Sequence, residues 1–284
     1  MDYLKINFEE MRYGAMHFTF ESLETAFKKF EIDFYLIGAF ARDMWMNHLN
    51  DLPERRTTND VDFAVYINDY EDFNTLKDYL VAEEGFTKDD EPYRLYSKDG
   101  TMIDLIPFGG IENNNEVYLD GNPPMAISVF GNREVLNYAQ TVDLADGSFK
   151  ICTLPGLCIM KLRSGHENGY RFEKDLGDFD YILENYFDIA GDTIYDDEFE
   201  DLIEEDFIPL LSAVKMLGRQ MKPILNQSQE LTQKIISILD KRKEKFTDFE
   251  IDQMYASDPK DLKIIRFKLI SFKLISTLNQ ELVK

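Results

Sequence analysis

Apolar positions recur at two different spacings along the chain, and the change of spacing divides it. Residues 16–30 carry Phe18, Phe20, Leu23, Ala26, Phe27 and Phe30 at helical spacing, with Glu and Lys on the other side, and predict an amphipathic helix. Asp33-Phe34-Tyr35-Leu36-Ile37 predicts a short buried strand ending at Gly38, and residues 41–49 resume a helical pattern. After a polar loop over 50–58, the alternation of Val61, Phe63 and Val65 predicts a strand running to Ile67. Phe73, Leu76, Tyr79 and Leu80 predict a helix over 70–84 that Gly85 ends. Two strands, over 93–96 and 101–107, flank Lys98-Asp99-Gly100, a hairpin signal. Beyond a loop rich in Asn and Gly over 109–115, residues 117–152 read as strands with turns at Asp120-Gly121-Asn122 and Asp146-Gly147. From Leu154 onward the spacing is helical. Residues 157–162 open a helix, 175–186 continue it past a polar loop at 164–170, and 262–282 form a long amphipathic helix suited to bundle packing. The order implies an α+β fold: a mixed sheet flanked by helices over 1–155, then an all-α domain over 156–284.

Composition narrows the function. With 44% hydrophobic and 13% aromatic residues in 284, the chain is not disordered. Its 54 acidic against 31 basic residues leave a net charge of -23. That field repels polyanions, so indiscriminate nucleic-acid binding and anionic membrane surfaces are disfavoured. A cationic small molecule, or one structured RNA on a local basic patch, stays open as a partner. No stretch reaches the roughly 18 apolar residues of a membrane span. Met1-Asp2-Tyr3-Leu4-Lys5 shows no leader pattern, and Cys152 and Cys158 form neither a disulfide framework nor a zinc spacing. A cytoplasmic protein is expected. The acidic stretch 192–206 keeps Ile194, Phe199, Leu202 and Ile203 at helical spacing and reads as a solvated helix face, with a dock for a cationic partner as the alternative.

The chemistry concentrates at Asp60-Val61-Asp62. Residues two apart on a strand project to the same side, so both carboxylates point together. Side by side they repel unless a cation lies between them, and on a strand as apolar as Val61, Phe63, Ala64 and Val65 they would be costly alone. Mg²⁺ takes oxygen ligands and bridges carboxylates to substrate phosphates. Asp104 is the single acid of Met102-Ile103-Asp104-Leu105-Ile106-Pro107. If that strand neighbours the first, three carboxylates form a cage suited to two ions and an in-line displacement. Upstream, Gly38 lets the backbone approach a phosphate, the helix start behind it is ready for an anion, and Arg42 could reach the same anion. The alternative is a structural turn with Arg42 paired to Asp43 or Glu54. His17, His48 and His166 show no ligand spacing.

Gly38-Ala39-Phe40-Ala41-Arg42-Asp43, then Asp60-Val61-Asp62-Phe63, then a lone strand Asp104 resembles the nucleotidyltransferase superfamily of DNA polymerase β-like folds. Leu157-x3-Lys161 and Arg171-x2-Lys174-Asp175-Leu176-x-Asp178 extend the resemblance to the AbiEii-type toxin nucleotidyltransferases of type IV toxin–antitoxin systems. The resemblance implies a small mixed sheet with a helical domain behind it. It also implies Mg²⁺, two ions, on Asp60, Asp62 and Asp104, and an NTP such as ATP as substrate. The NMP would pass to an acceptor hydroxyl on a small molecule, RNA or protein. Gly38, Ala39, Arg42, Lys161 and Asp175 would bind the nucleotide, and a cognate antitoxin would be the partner. Ala39 stands where the family has a second Gly or a Ser, so a hydroxyl contact to phosphate is lost and the backbone amide remains. That substitution motivates a non-catalytic nucleotide-binding module as the alternative. An antibiotic nucleotidyltransferase is a further reading. So is a tRNA CCA-adding-like enzyme, although the later motifs of that group are missing.

Overall fold

The strands most apolar on both faces lie in the middle of the sheet. The computed structural model describes residues 4–5, 16–53, 58, 60–121, 123–144, 147–167, 169–203, 207–253 and 259–284, with side chains of 245–270 left aside. It has two compact units that divide between Leu157 and Cys158.

The first unit is built on a mixed sheet. In chain order its strands are β1 (Leu4–Lys5), β2 (Phe34–Ile37), β3 (Asp60–Ile67), β4 (Thr87–Lys88), β5 (Arg94–Tyr96), β6 (Met102–Gly109), β9 (Gln140–Leu144) and β10 (Gly147–Ile151). A separate hairpin holds β7 (Glu116–Leu119) and β8 (Met125–Ser128). The spatial order of the sheet is β1-β9-β10-β2-β3-β6-β5-β4. Central β3 runs antiparallel to β2 and parallel to β6. Buried on both faces, it carries the near-continuous apolar run that such strands need.

Helices cover this sheet by the same alternation. α1 (His17–Lys29) lays Phe20, Leu23 and Phe27 on one face, where Phe20 meets Phe63 edge-on at 5.6 Å and Phe149 at 5.1 Å. α2 (Gly38–Asp43) follows β2 directly and widens into a π-helical turn, Met44–His48, that ends short of the polar loop. α3 (Tyr70–Ala82) starts at Asp69, whose carboxylate accepts from the Asp72 amide at 2.9 Å, and Gly85 closes it at φ +73°. The stretch read as continuous strand over 117–152 is interrupted by α4 (Asn132–Leu136), entered through Gly131 at φ +91°. Tyr35 reaches across from the sheet and donates to the Asn132 carbonyl at 2.9 Å.

The second unit is helical. α5 (Leu154–Glu167) leads across the division, and α6 (Phe172–Ala190), α7 (Pro209–Leu225), α8 (Gln229–Gln253) and α9 (Pro259–Val283) follow. α7 opens on Pro209, whose missing amide proton costs nothing at a helix start. It packs on α6 and α9, α8 packs on α9, and Leu217, Met221, Ile235, Leu239, Leu274 and Leu278 of α7, α8 and α9 are buried. The acidic stretch departs from its helical spacing. It forms two 3₁₀ segments, Gly191–Tyr195 and Asp197–Leu202, in which Ile194, Phe199 and Leu202 are buried. Like charges three apart, such as Asp197 and Glu200, crowd each other in either winding, and Asp201 is paired with Arg219. Residues 204–206 of that stretch lie outside the described residues. No helix among the described residues is long and apolar enough to cross a membrane.

Candidate metal centre

The register of two parallel strands makes the centre. Asp62 on β3 is the direct partner of Asp104 on β6, and Asp60 precedes Asp62 by one alternation on the same face. Strand pairing thus brings together carboxylates 42 residues apart in the chain. One oxygen from each of Asp60, Asp62 and Asp104 lies within 4.8 Å of the other two. Asp104 is buried and the other two are half-buried. Three hard oxygen donors converging at this range, partly withdrawn from water, fit a Mg²⁺-type cation, which also offsets their mutual repulsion.

The turn between β2 and α2 is shaped around the same carboxylates. Gly38 has φ +75°, a conformation that favours glycine. A Cβ there would overlap Oδ2 of Asp62 and stand 2.8 Å from its Cγ. The glycine is therefore needed for close approach of backbone to carboxylate as well as for its dihedral.

Two supporting residues escaped the sequence reading. Buried Thr58, just before β3, donates its hydroxyl to Oδ1 of Asp60. Arg94 on β5 donates from Nε to Oδ1 and from Nη2 to Oδ2 of Asp104, each at 2.7 Å. This is a two-pronged, charge-assisted pair. Hydrogen bonding to Asp104 pushes the guanidinium pKa still further up, against the opposing effect of burial. Thr58 carried no sequence signal. Arg94 did carry one: folding the chain about Asp99 pairs Arg94 with Asp104, the register that β5 and β6 adopt.

The remaining candidates are placed as follows. Ala39 is buried behind Gly38. Arg42 is fully buried, and its Nε donates to Oδ1 of Asp43 at 2.8 Å, the structural arrangement weighed from the sequence; Glu54 lies outside the described residues. Lys161 and Asp175 belong to the second unit and meet each other there. Lys161 Nζ lies 2.8 Å from Asp175 Oδ1 and 3.0 Å from Asp178 Oδ2, with all three side chains buried. Burial pushes the Asp175 carboxyl up, but the Lys161 charge and hydrogen bond, with Ser164 and Arg171, hold it below its ordinary value. Cys152 and Cys158 are buried and form no disulfide.

No protein-family model matches the chain, and no curated protein matches it closely enough to count. Among solved structures it is similar to an antigenic nucleotidyltransferase-like protein from Paracoccidioides brasiliensis. The two are 15% identical, with a TM-score of 0.40 over 81% of this chain and 90% of that one.

Proposed function

We propose that the chain is a Mg²⁺-dependent nucleotidyltransferase that moves an NMP from an NTP to an acceptor hydroxyl. The observation that carries the reading is the acidic triad on paired strands beside a glycine turn whose backbone abuts the Asp62 carboxylate. Asp60 and Asp62 would hold the ion that carries the triphosphate. Asp104 would share a second ion and take the hydrogen bond of the acceptor hydroxyl. Bound divalent ions neutralise the charge of an in-line phosphoryl displacement and ease the departure of pyrophosphate. The residues' own part is positioning. The Gly38–Ala39 backbone receives the phosphates at Asp62, and Thr58 fixes the Asp60 carboxylate. The acceptor oxygen bonds to the α-phosphorus, the α–β bridging bond breaks, and pyrophosphate leaves with that electron pair. The hydroxyl proton departs by way of Asp104. The net charge of -23 supports an acceptor that is not a polyanion, and two cysteines without a disulfide support a cytoplasmic site.

The test is incubation with labelled NTPs and Mg²⁺ in cell extract, comparing wild type with Asp62→Asn. Transfer of label by the wild type and its loss in a folded Asp62→Asn protein supports the reading. Equal labelling by both sinks it. Tight NTP binding without pyrophosphate release assigns the chain instead to the nucleotide-binding modules.

A further inference from the structure

The acidic centre includes a cation that the motif does not require. Arg94, Asp104 and Asp62 are successive partners on three neighbouring strands: Arg94 pairs with Asp104 across β5 and β6, and Asp104 with Asp62 across β6 and β3. Directly opposed residues share a face of the sheet. The three side chains therefore form one row, with Asp104 in the middle and the guanidinium on the flank away from Asp62. The fork engages both oxygens of Asp104 at 2.7 Å. A carboxylate has about four lone-pair positions, and a bidentate guanidinium takes one on each oxygen. Asp104 thus keeps acceptor capacity toward the triad, but its orientation and part of its charge are committed to Arg94. The Asp104 side chain is 5% exposed and that of Arg94 22%, so water screens the pair only in part.

We propose that Arg94 is the positioning residue of Asp104 and that it restrains the uptake of a second metal ion until nucleotide arrives. The inference rests on the metal-site reading above. The fork holds Asp104 in one orientation, ready for use. The same positive charge offsets that carboxylate, so the centre holds a first ion at Asp60 and Asp62 and holds the next one weakly. The triphosphate, which carries its own negative charge, restores the balance and admits it. In this arrangement an idle centre does not collect ions that have no substrate to act on.

The experiment is a Mn²⁺ titration of the full chain followed by electron paramagnetic resonance, without nucleotide and with an NTP analogue that cannot be cleaved at the α-phosphate. Wild type is expected to take up a single tight Mn²⁺ alone and a second with the analogue. Arg94→Gln should tighten the second Mn²⁺ by about tenfold without nucleotide, the order expected for removing one partly screened positive charge close to the ion. Arg94→Lys keeps the charge without the fork and should retain the restrained uptake. A merely structural Arg94 would change thermal stability and leave these isotherms alone. Wild type binding two ions equally without nucleotide overturns the proposal, whether or not Arg94→Gln folds. So does Arg94→Gln binding Mn²⁺ as wild type does. If no Mn²⁺ binds in a way that Asp62→Asn abolishes, the metal-site reading itself fails, and this inference fails with it.

Discussion

Gly38 stands so close to Asp62 that a methyl group on it would overlap the carboxylate. The relationship makes the turn and the metal centre one structural unit. Gly38→Ala must either push Asp62 off its position or displace the turn, and it also puts a side chain at φ +75°. The left-handed conformation costs roughly 1–2 kcal/mol, and crowding adds about 1–3 kcal/mol. We expect a moderately destabilised protein whose Mg²⁺-dependent NTP turnover is lost outright. Urea denaturation and a pyrophosphate-release assay on one preparation check this. Full turnover in Gly38→Ala would show that the close approach is incidental.

Thr58 should matter out of proportion to its size. Its hydroxyl donates to Asp60 Oδ1, which leaves that oxygen oriented and less free to turn away from an ion. Thr58→Val keeps the shape and removes the donor. Loss of a group that orients a metal ligand typically costs about 10–100-fold in affinity. We expect that loss in Mn²⁺ affinity with little change in fold, measured by calorimetry. Unchanged affinity would reduce Thr58 to a loop anchor.

Much of this architecture is legible in the chain, and the parts that are not share a cause. Alternation and spacing predict β2, β3, α1, α3 and the β5–β6 hairpin to within a few residues, because each buries one face or stripe against its neighbour. The Asp60–Asp62 geometry follows from strand pleating alone. Asp104 joins them only through a pairing of distant strands, which pattern suggests and does not dictate. α4 is hidden because five residues are too few for a helical period to show. The acidic stretch follows helical spacing in its apolar residues yet winds as 3₁₀ turns, because apolar spacing over so short a stretch does not distinguish the two windings. The resemblance places Lys161 among the nucleotide-binding residues. Its buried partners, Asp175 and Asp178, lie one and two turns into another helix, a tertiary fact that no local window contains.

The buried cluster around Lys161 yields a prediction of its own. Two carboxylates share one ammonium in the interior of the helical unit. Lys161→Met removes the ammonium that bridges both carboxylates. Breaking a buried pair by deleting one partner costs about 3–5 kcal/mol. We expect a loss of that order in urea denaturation, partly recovered when Asp175→Asn is added to Lys161→Met. A double variant no more stable than the single one would argue against direct coupling.

Asp175 also makes stability depend on acid in a definite direction. Burial raises its pKa, but Lys161 and the surrounding hydrogen bonds outweigh that and leave it below the ordinary value in the folded chain. The unfolded chain, whose Asp titrates near 3.9, therefore takes up this proton first as pH falls. The Asp175 contribution is complete above about pH 4 and is lost as pH falls from there through the folded value. In that window it should steepen the decline of stability by up to one proton, about 1.4 kcal/mol per pH unit. Urea denaturation at a series of pH values from 5 down to about 2.5, comparing wild type with Asp175→Asn, reads the difference directly. The expected result is two curves that run parallel above about pH 4 and converge below it, wild type losing stability faster. Curves that stay parallel throughout would mean that Lys161 does not hold the Asp175 proton off.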